Sequence, residues 1–435
     1  MSGLADFECI VIGAGAAGVA AGRALARGGA SFILLEARQR AGGRAFTQES
    51  GGFPVDLGAG WLHSADRNVL LPLAGQQGFA IDRETPPWQK SADARGFETG
   101  DQRAYRAEQG RFFQRAQEAA QAGREGPASD LLDPQARWTP LIDAMSTYVN
   151  GTETDRLSVL DYAAYEDTEV NFRVVQGYGA LIEKLGVDLP IRFGCIARLV
   201  DHGARPLRVE TNAGTLTARA VIVTVPTNLI ATGALRFRPA LPARVEAAAV
   251  LPLGLADKLF LALDGAEDFP VDSRLYGATD RTATANYHIR PFGRPLIEAY
   301  FGGQFARELE AGGMAAFADF AMGQIVDALG SSYRKRLAPV ACSAWARDPF
   351  ALGSYSHALP GHSGARAVLA RPEGEALFFA GEAVSPGFFS TVHGAWETGE
   401  RAAEGALASV KVHSFVDHLS QQATPAIPLP LAGRG

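Results

Sequence analysis

Cysteine is scarce. The chain of 435 residues has three, Cys9, Cys195 and Cys342, an odd number set far apart. They suggest neither a disulfide framework nor a Cys-based metal site, and they suit a reducing, cytoplasmic setting. No run of about 18 apolar residues occurs, so no segment is expected to cross a membrane. The apolar stretch from Ile10 to Ala21 follows an acidic start and is rich in glycine, unlike the core of a secretory signal. Basic clusters are missing too. With a formal net charge of -6, neither nucleic acid nor an anionic membrane surface is an expected partner. The eight histidines are dispersed, so no metal site is expected. There is no internal repeat, and nothing in the sequence sets an oligomeric state.

What is present fits a globular enzyme: 47% hydrophobic and 20% charged residues. The length exceeds one ordinary core and suits about two domains. From about Val412 the chain mixes Gln, Ser and Thr with three prolines, which reads as a loose tail over 411–435.

Glu8 to Ile12 reads as a buried strand, an Ala-rich helix runs to Arg27, Gly28-Gly29 stops it, and Phe32 to Leu35 is a second strand. Arg103 to Arg124 suggests exposed helix, and Leu181 to Leu185 continues a helix after Gly177-Tyr178-Gly179. Val209 to Thr211 and Leu216 to Ala218 pair as a hairpin about Asn212-Ala213-Gly214. Ala220 to Val225, Lys258 to Leu263 and Leu377 to Ala380 are further strands, and a helix spans about Gly394 to Leu407.

The first strand, turn and helix carry Gly13-Ala14-Gly15-Ala16-Ala17-Gly18. Gly13 permits the tight turn, Gly15 lets a pyrophosphate approach the backbone, and Gly18 lets helix and sheet pack closely. The helix start supplies free N–H groups and partial positive charge for phosphate. Glu36, at the end of the second strand, is placed to accept hydrogen bonds from ribose hydroxyls. A dinucleotide site follows. The motif alone leaves FAD and NAD open, since both use this fold.

Beyond Glu36, the run through Ala37, Arg38, Gly42, Gly43 and Arg44 resembles the extended FAD signature of the flavin amine oxidase family. Asp56-Leu57-Gly58-Ala59-Gly60-Trp61-Leu62-His63 resembles the family segment that lines flavin and substrate tunnel. Ala220 to Val225 with Pro226 resembles the strand that ends beside the flavin. Trp345, Asp348-Pro349, Gly353 and Tyr355 resemble the W-x-x-D-P-x-x-x-G-x-Y stretch. Gly381-Glu382, then Thr391-Val392-His393-Gly394-Ala395, resemble the C-terminal FAD signature. The resemblance covers about residues 7 to 410.

It implies a two-domain α/β FAD-dependent amine oxidase-like fold. A Rossmann-type FAD domain would be formed by 1–75, 187–245 and 345–410, and an α+β substrate domain by 76–186 and 246–344. It also implies Arg44 at the pyrophosphate and places Cys195 and Ile196 among the cofactor contacts. Leu253 to Phe260 resembles the segment with the family's active-site lysine, here Lys258, which would hold a water beside the flavin. Tyr355 is the aromatic wall candidate. Thr391 stands where monoamine oxidases have a second Tyr, which with the segment from Leu57 to His63 is nearer to polyamine oxidases and histone-lysine demethylases. Trp345 and His63 complete the catalytic candidates, His63 being either a substrate contact or a structural loop residue. His393 reads as structural. Ser354 occupies the position where some members attach flavin through Cys, so FAD is expected to be non-covalent.

The implied reaction moves a hydride from the carbon beside an amine nitrogen to FAD, with molecular oxygen as acceptor and hydrogen peroxide as product. Alternatives are an amino-acid oxidase or desaturase-like enzyme of the same superfamily, and a flavin-binding scaffold without turnover.

Overall fold

A computed structural model describes residues 5–422. Two sheets organise it. The larger has eight strands, and its centre is built from three strands with buried apolar runs. Phe7–Ile12 pairs in parallel with Phe32–Leu35 on one side and with Gly214–Val223 on the other. Leu377–Phe379 joins the far edge of Gly214–Val223, also in parallel. Where they are covered on both faces, these strands run apolar without alternation, as in Ile10 to Ile12, Ile33 to Leu35 and Ala220 to Val223.

The helix Ala16–Arg27 lies on one face with Tyr178–Gly186 and the long helix Val392–Gln422. Small residues let these pack close. A side chain at Gly18 would meet the Gly13 carbonyl at 2.0 Å, and one at Gly399 would meet the Ala17 carbonyl at 2.1 Å. The other face is closed by Pro242–Ala249 and Ala365–Ala370, which pack with Leu207 and Val209 of the sheet's own strand Leu207–Thr211.

The smaller sheet is antiparallel, in the order Ser273–Tyr276, Asn286–Ile289, Leu296–Gly302, Ala256–Leu263, Leu337–Cys342. One of its faces packs on the helix Gly313–Leu329 through Phe301, Phe317 and Ile325. The register aligns Lys258 with Tyr300, Tyr300 with Asn286, and Asn286 with Tyr276. The next row on the same face is Phe260, Glu298, His288 and Arg274. This face borders the cavity described below.

Three expectations differ in detail. The hairpin arm at Leu216 and the buried run from Ala220 are one ten-residue strand, Gly214–Val223, since no breaker separates them. The segment around Arg103 to Arg124 is one helix, Thr99–Gln121, with Tyr105, Phe112 and Ala116 turned inward. The last helix runs from Val392 to Gln422, past the point at which the tail is expected. Residues 423–435 of that tail lie outside the described residues.

Candidate active site

One cavity of about 890 Å³ runs between the two sheets. Every candidate residue from the sequence except Gly18 lines it. Gly18 lies beneath the glycine turn, where only a residue without Cβ fits.

At one end of the cavity the first strand stops and the first helix begins. The helix starts at Ala16 with no side-chain cap, leaving its N–H groups to a ligand. Gly43 comes up beside Gly15, bridged there through Gly42. The Glu36 carboxylate is buried and accepts the Ala14 N–H at 2.8 Å and the Arg38 N–H at 2.9 Å. These bonds fix it while its other lone pairs remain for hydroxyl donors. Arg38 pairs with Asp348 at 2.6 Å. Cys195 donates its N–H to the Glu36 carbonyl, so with Ile196 it belongs to this end.

Further along, Arg44 pairs with Glu382 at 2.9 Å and donates to the Ser354 carbonyl at 2.7 Å. Burial pushes Glu382 toward the neutral acid, but Arg44 and Arg366 outweigh it and hold its pKa below the usual carboxylate value. Glu382 also accepts from Ser356 Oγ at 2.6 Å and from the Ser390 N–H at 3.0 Å. Gly58, Ala59, Val225, Pro226, Gly381 and Val392 bring backbone to the cavity wall. A bare helix start, a glycine cradle, a fixed carboxylate at a strand end and two guanidiniums form the donor and acceptor set that a flavin dinucleotide requires.

At the reacting end, Lys258 is buried on a central strand, flanked by Leu296–Gly302 and Leu337–Cys342. Its ammonium donates to the Asp56 carbonyl at 3.0 Å and pairs with Glu298 at 2.8 Å. An ammonium has three N–H bonds, so one remains for the cavity. Gly60 makes room for it: a Cβ there would lie 3.1 Å from Nζ. Burial acts to raise the Glu298 pKa, yet Lys258 and His288 overcome this and set it far below the usual carboxylate value.

His288 continues the chain of charge. Its Nε2 lies 2.8 Å from Asp272 Oδ1 and its Nδ1 3.6 Å from Glu298. Asp272 pairs with Arg173 at 2.8 Å. Burial raises the Asp272 pKa, but the His288 hydrogen bond and Arg173 lower it to about 2. Arg173 also stands over Trp61, 4.9 Å from the ring centroid. The aromatic wall beside Lys258 is therefore braced from behind by buried charge.

Trp345 donates its indole N–H to the Leu57 carbonyl at 3.0 Å. Tyr355 donates its hydroxyl to the Tyr148 carbonyl, which leaves its ring to the cavity. The Thr391 hydroxyl is spent locally: it donates to Phe388 and accepts the Gly394 N–H, capping the last helix. Only its methyl is free to face a substrate. His63 Nδ1 lies 2.6 Å from Asn171 Oδ1, and burial first of all lowers its pKa despite that bond. It is thus tied to the scaffold and faces the cavity at once. His393 is buried against Phe388, and burial then His63 push its pKa down to about 3.

Sequence reasoning missed Glu298, His288, Asp272 and Arg173. They come from four separate segments and share no spacing. One local sign exists, a carboxylate inside the apolar strand Leu296–Gly302. His357 was also passed over; it lines the cavity with neither ring nitrogen partnered, and burial lowers its pKa to about 4.

Among the described residues there is no cluster of metal-ligating side chains, and no helix is long and apolar enough to cross a membrane. A family model for flavin containing amine oxidoreductases matches residues 16–149 and 132–407. The chain is 30% identical to polyamine oxidase 3 of Oryza sativa subsp. japonica, over 91% of this chain and 88% of that one. It is 29% identical to polyamine oxidase 2 of Arabidopsis thaliana, over 91% and 87%. The solved structure of putrescine oxidase bound to putrescine superposes with a TM-score of 0.73 at 18% identity, over 92% of this chain and 99% of that one.

Proposed function

We propose a reaction from one premise: this chain belongs to the flavin containing amine oxidoreductase family and is an FAD-dependent amine oxidase. Bound FAD supplies the two-electron acceptor. The reaction we propose takes the hydride from the carbon beside the nitrogen of a small aliphatic amine and releases imine. Water converts the imine to aldehyde and releases the nitrogen as ammonia or amine, and molecular oxygen would take the two electrons and protons from the reduced cofactor and leave as hydrogen peroxide. The FAD is held without a covalent link, and the thiols suit a reducing compartment.

The observation that carries this reading is the buried Lys258 ammonium, with one N–H left to the cavity among aromatic walls. Its positive charge disfavours a second ammonium nearby, so the amine reacts as the neutral base. That base has the lone pair which stabilises the developing iminium. Tyr355, Trp61 and Tyr300 enclose the reacting carbon and exclude water. Lys258 holds a single water in the dry site and orients it for the oxygen step. Glu298 is bound to Lys258 and Asp56 to Thr47 and the Tyr178 N–H, so neither serves as a base.

An amine panel assayed for peroxide, with anaerobic bleaching of the flavin absorbance followed separately, tests the proposal. Turnover should rise with pH toward the amine pKa, roughly 10 for an alkylamine. A protein whose flavin bleaches with no amine would end it.

A further inference from the structure

The substrate end of the cavity holds a group that amine oxidation does not use. Arg274 is 7% exposed and lines the cavity. Its Nε donates to Asn286 Oδ1 at 2.8 Å, its Nη2 reaches only the Met145 sulfur at 3.6 Å, and its guanidinium stands 4.3 Å from the Tyr276 ring centroid. Among the described residues no carboxylate pairs with it, and Nη1 has no protein partner. A buried fixed charge without a counter-charge is costly, and a ligand that brings one is correspondingly favoured.

Two more donors belong to residues that line the same cavity. Asn286, 7% exposed, turns its Oδ1 to Arg274 and leaves Nδ2 buried without a partner. Tyr105, 2% exposed, has its hydroxyl buried and unpartnered, and Arg274 acts on it electrostatically. Asn286 Nδ2, Tyr105 Oη and Arg274 Nη1 thus have no acceptor among the described residues, and no carboxylate answers the Arg274 charge. The carboxylates that line the cavity are engaged elsewhere: Glu36 and Glu382 at the dinucleotide end, Asp161 with Arg366, Asp257 with Ser343. Asp167 lies exposed at the rim.

We infer that Arg274, Asn286 and Tyr105 form a carboxylate subsite, and that the substrate is an amine carrying a carboxylate several carbons from the reacting nitrogen. The spacing follows from the sheet register. Arg274 lies three strands from Lys258, with strands roughly 4.8 Å apart. With the Lys258 and Arg274 side chains reaching into the cavity from backbones roughly 14 Å apart, an α-amino acid, with one carbon between amine and carboxylate, is too short to meet both, whereas an ω-amino acid of about six carbons is long enough. Tyr276, Tyr148 and Met145 offer the intervening methylenes an apolar wall. The inference rests on the amine oxidase reading for the position of the amine.

The test compares 6-aminohexanoate, hexylamine and 1,6-diaminohexane as substrates, and hexanoate as an unreactive ligand. In the parent holoenzyme, kcat/KM for 6-aminohexanoate should exceed that for hexylamine tenfold or more, through KM, and the diamine should be poorest. Hexanoate should compete with hexylamine, perturb the flavin spectrum and raise the unfolding temperature. In Arg274→Met the ratio of 6-aminohexanoate to hexylamine should fall toward one and the hexanoate shift should vanish; Arg274→Lys should restore part of both. Hexylamine or the diamine used as well as 6-aminohexanoate, with no hexanoate binding to the parent, overturns the subsite and leaves these donors to water. If no amine is oxidised yet hexanoate binds through Arg274, the amine oxidase reading falls while the subsite stands.

Discussion

At the scale of single residues, Lys258 carries two burdens that one substitution does not separate. It faces the reacting end and it neutralises Glu298. Lys258→Met leaves a buried carboxylate without its cation, a change that typically costs about 3–5 kcal/mol. Lysines at sheet edges often serve only to block association, but this one sits on a central strand. The double variant Lys258→Met/Glu298→Gln removes both charges. We expect the single variant to lose unfolding temperature and the double to recover much of it, while both remain at least tenfold slower in turnover, equivalent to about 1.36 kcal/mol. Rapid-mixing absorbance separates the half-reaction with amine from that with oxygen. Recovery of turnover together with stability would make Lys258 a structural counter-ion only. Glu36 is simpler. Glu36→Ala removes an acceptor from ribose hydroxyls, with charge-assisted bonds worth about 1.5–3 kcal/mol each. Titration of apoprotein with FAD should show weaker binding by tenfold or more, with Glu36→Gln in between; parent-like affinity in Glu36→Ala would remove it from the site. Glu36 was legible because its motif is contiguous. The relay behind Lys258 was not, because tertiary pairing alone assembles it from Glu298, His288, Asp272 and Arg173.

At the scale of elements, the opening strand, helix and strand were legible almost to the residue, since apolar runs and glycine stops coincide there. Most of the smaller sheet was not. Its strands Ser273–Tyr276, Asn286–Ile289 and Leu296–Gly302 carry Arg274, His288 and Glu298 toward the cavity, and these break the apolar pattern by which a buried strand is recognised. A second acid pair ties elements of this sheet together. Asp257 accepts from Ser343 Oγ at 2.7 Å and from the Trp345 N–H at 3.2 Å, and Glu310 accepts the Ala346 N–H at 2.9 Å. Asp257 Oδ2 and Glu310 Oε2 are both buried without a donor, which one shared proton satisfies. Burial, then the Glu310 carboxyl, raise the Asp257 pKa well above its usual value. A raised folded pKa gives stability that is complete below the unfolded value, about 4, and is lost as pH rises through the folded one. In Asp257→Asn, Oδ1 keeps both bonds and Nδ2 donates to Glu310. The parent should lose unfolding temperature from pH 5 to pH 9 more steeply than Asp257→Asn. Parallel pH profiles would show that no proton is shared.

At the scale of the whole molecule, the cavity draws its walls from residues as far apart as Ile12 and Ala395 and separates the two sheets along its length. The order of motifs made that arrangement legible, because each resembling segment brought its own piece of wall. The substrate end was less so: Tyr105, Tyr148, Asn286 and Tyr300 face it from segments with no motif. The way FAD is held follows from this layout. The resemblance makes a thiol the attaching group to look for, since some members of the family link flavin through Cys. Cys195 lies at the dinucleotide end beside Glu36, and Cys9 is buried within the first strand, where burial and then Glu8 push its pKa far up. Cys342 is on the edge strand Leu337–Cys342 and does not line the cavity; burial first raises its pKa to about 12, far from a reactive thiolate. Ser354 binds strand Ala256–Leu263 through its hydroxyl, donating to the Ala256 carbonyl at 2.9 Å. Among the described residues no thiol therefore stands at the reacting end of the cavity, and FAD should be retained by burial and hydrogen bonds alone. Acid or heat should release all the yellow flavin into the supernatant, and mass spectrometry of the denatured chain should give the mass of the polypeptide. If FAD occupies the cavity between the sheets, the apoprotein should unfold at lower temperature, and added FAD should restore about 2.7 kcal/mol at a hundredfold excess over Kd. Flavin mass on the denatured chain would overturn the non-covalent assignment, and an apoprotein as stable as the holoenzyme would remove the cofactor from the core of the fold.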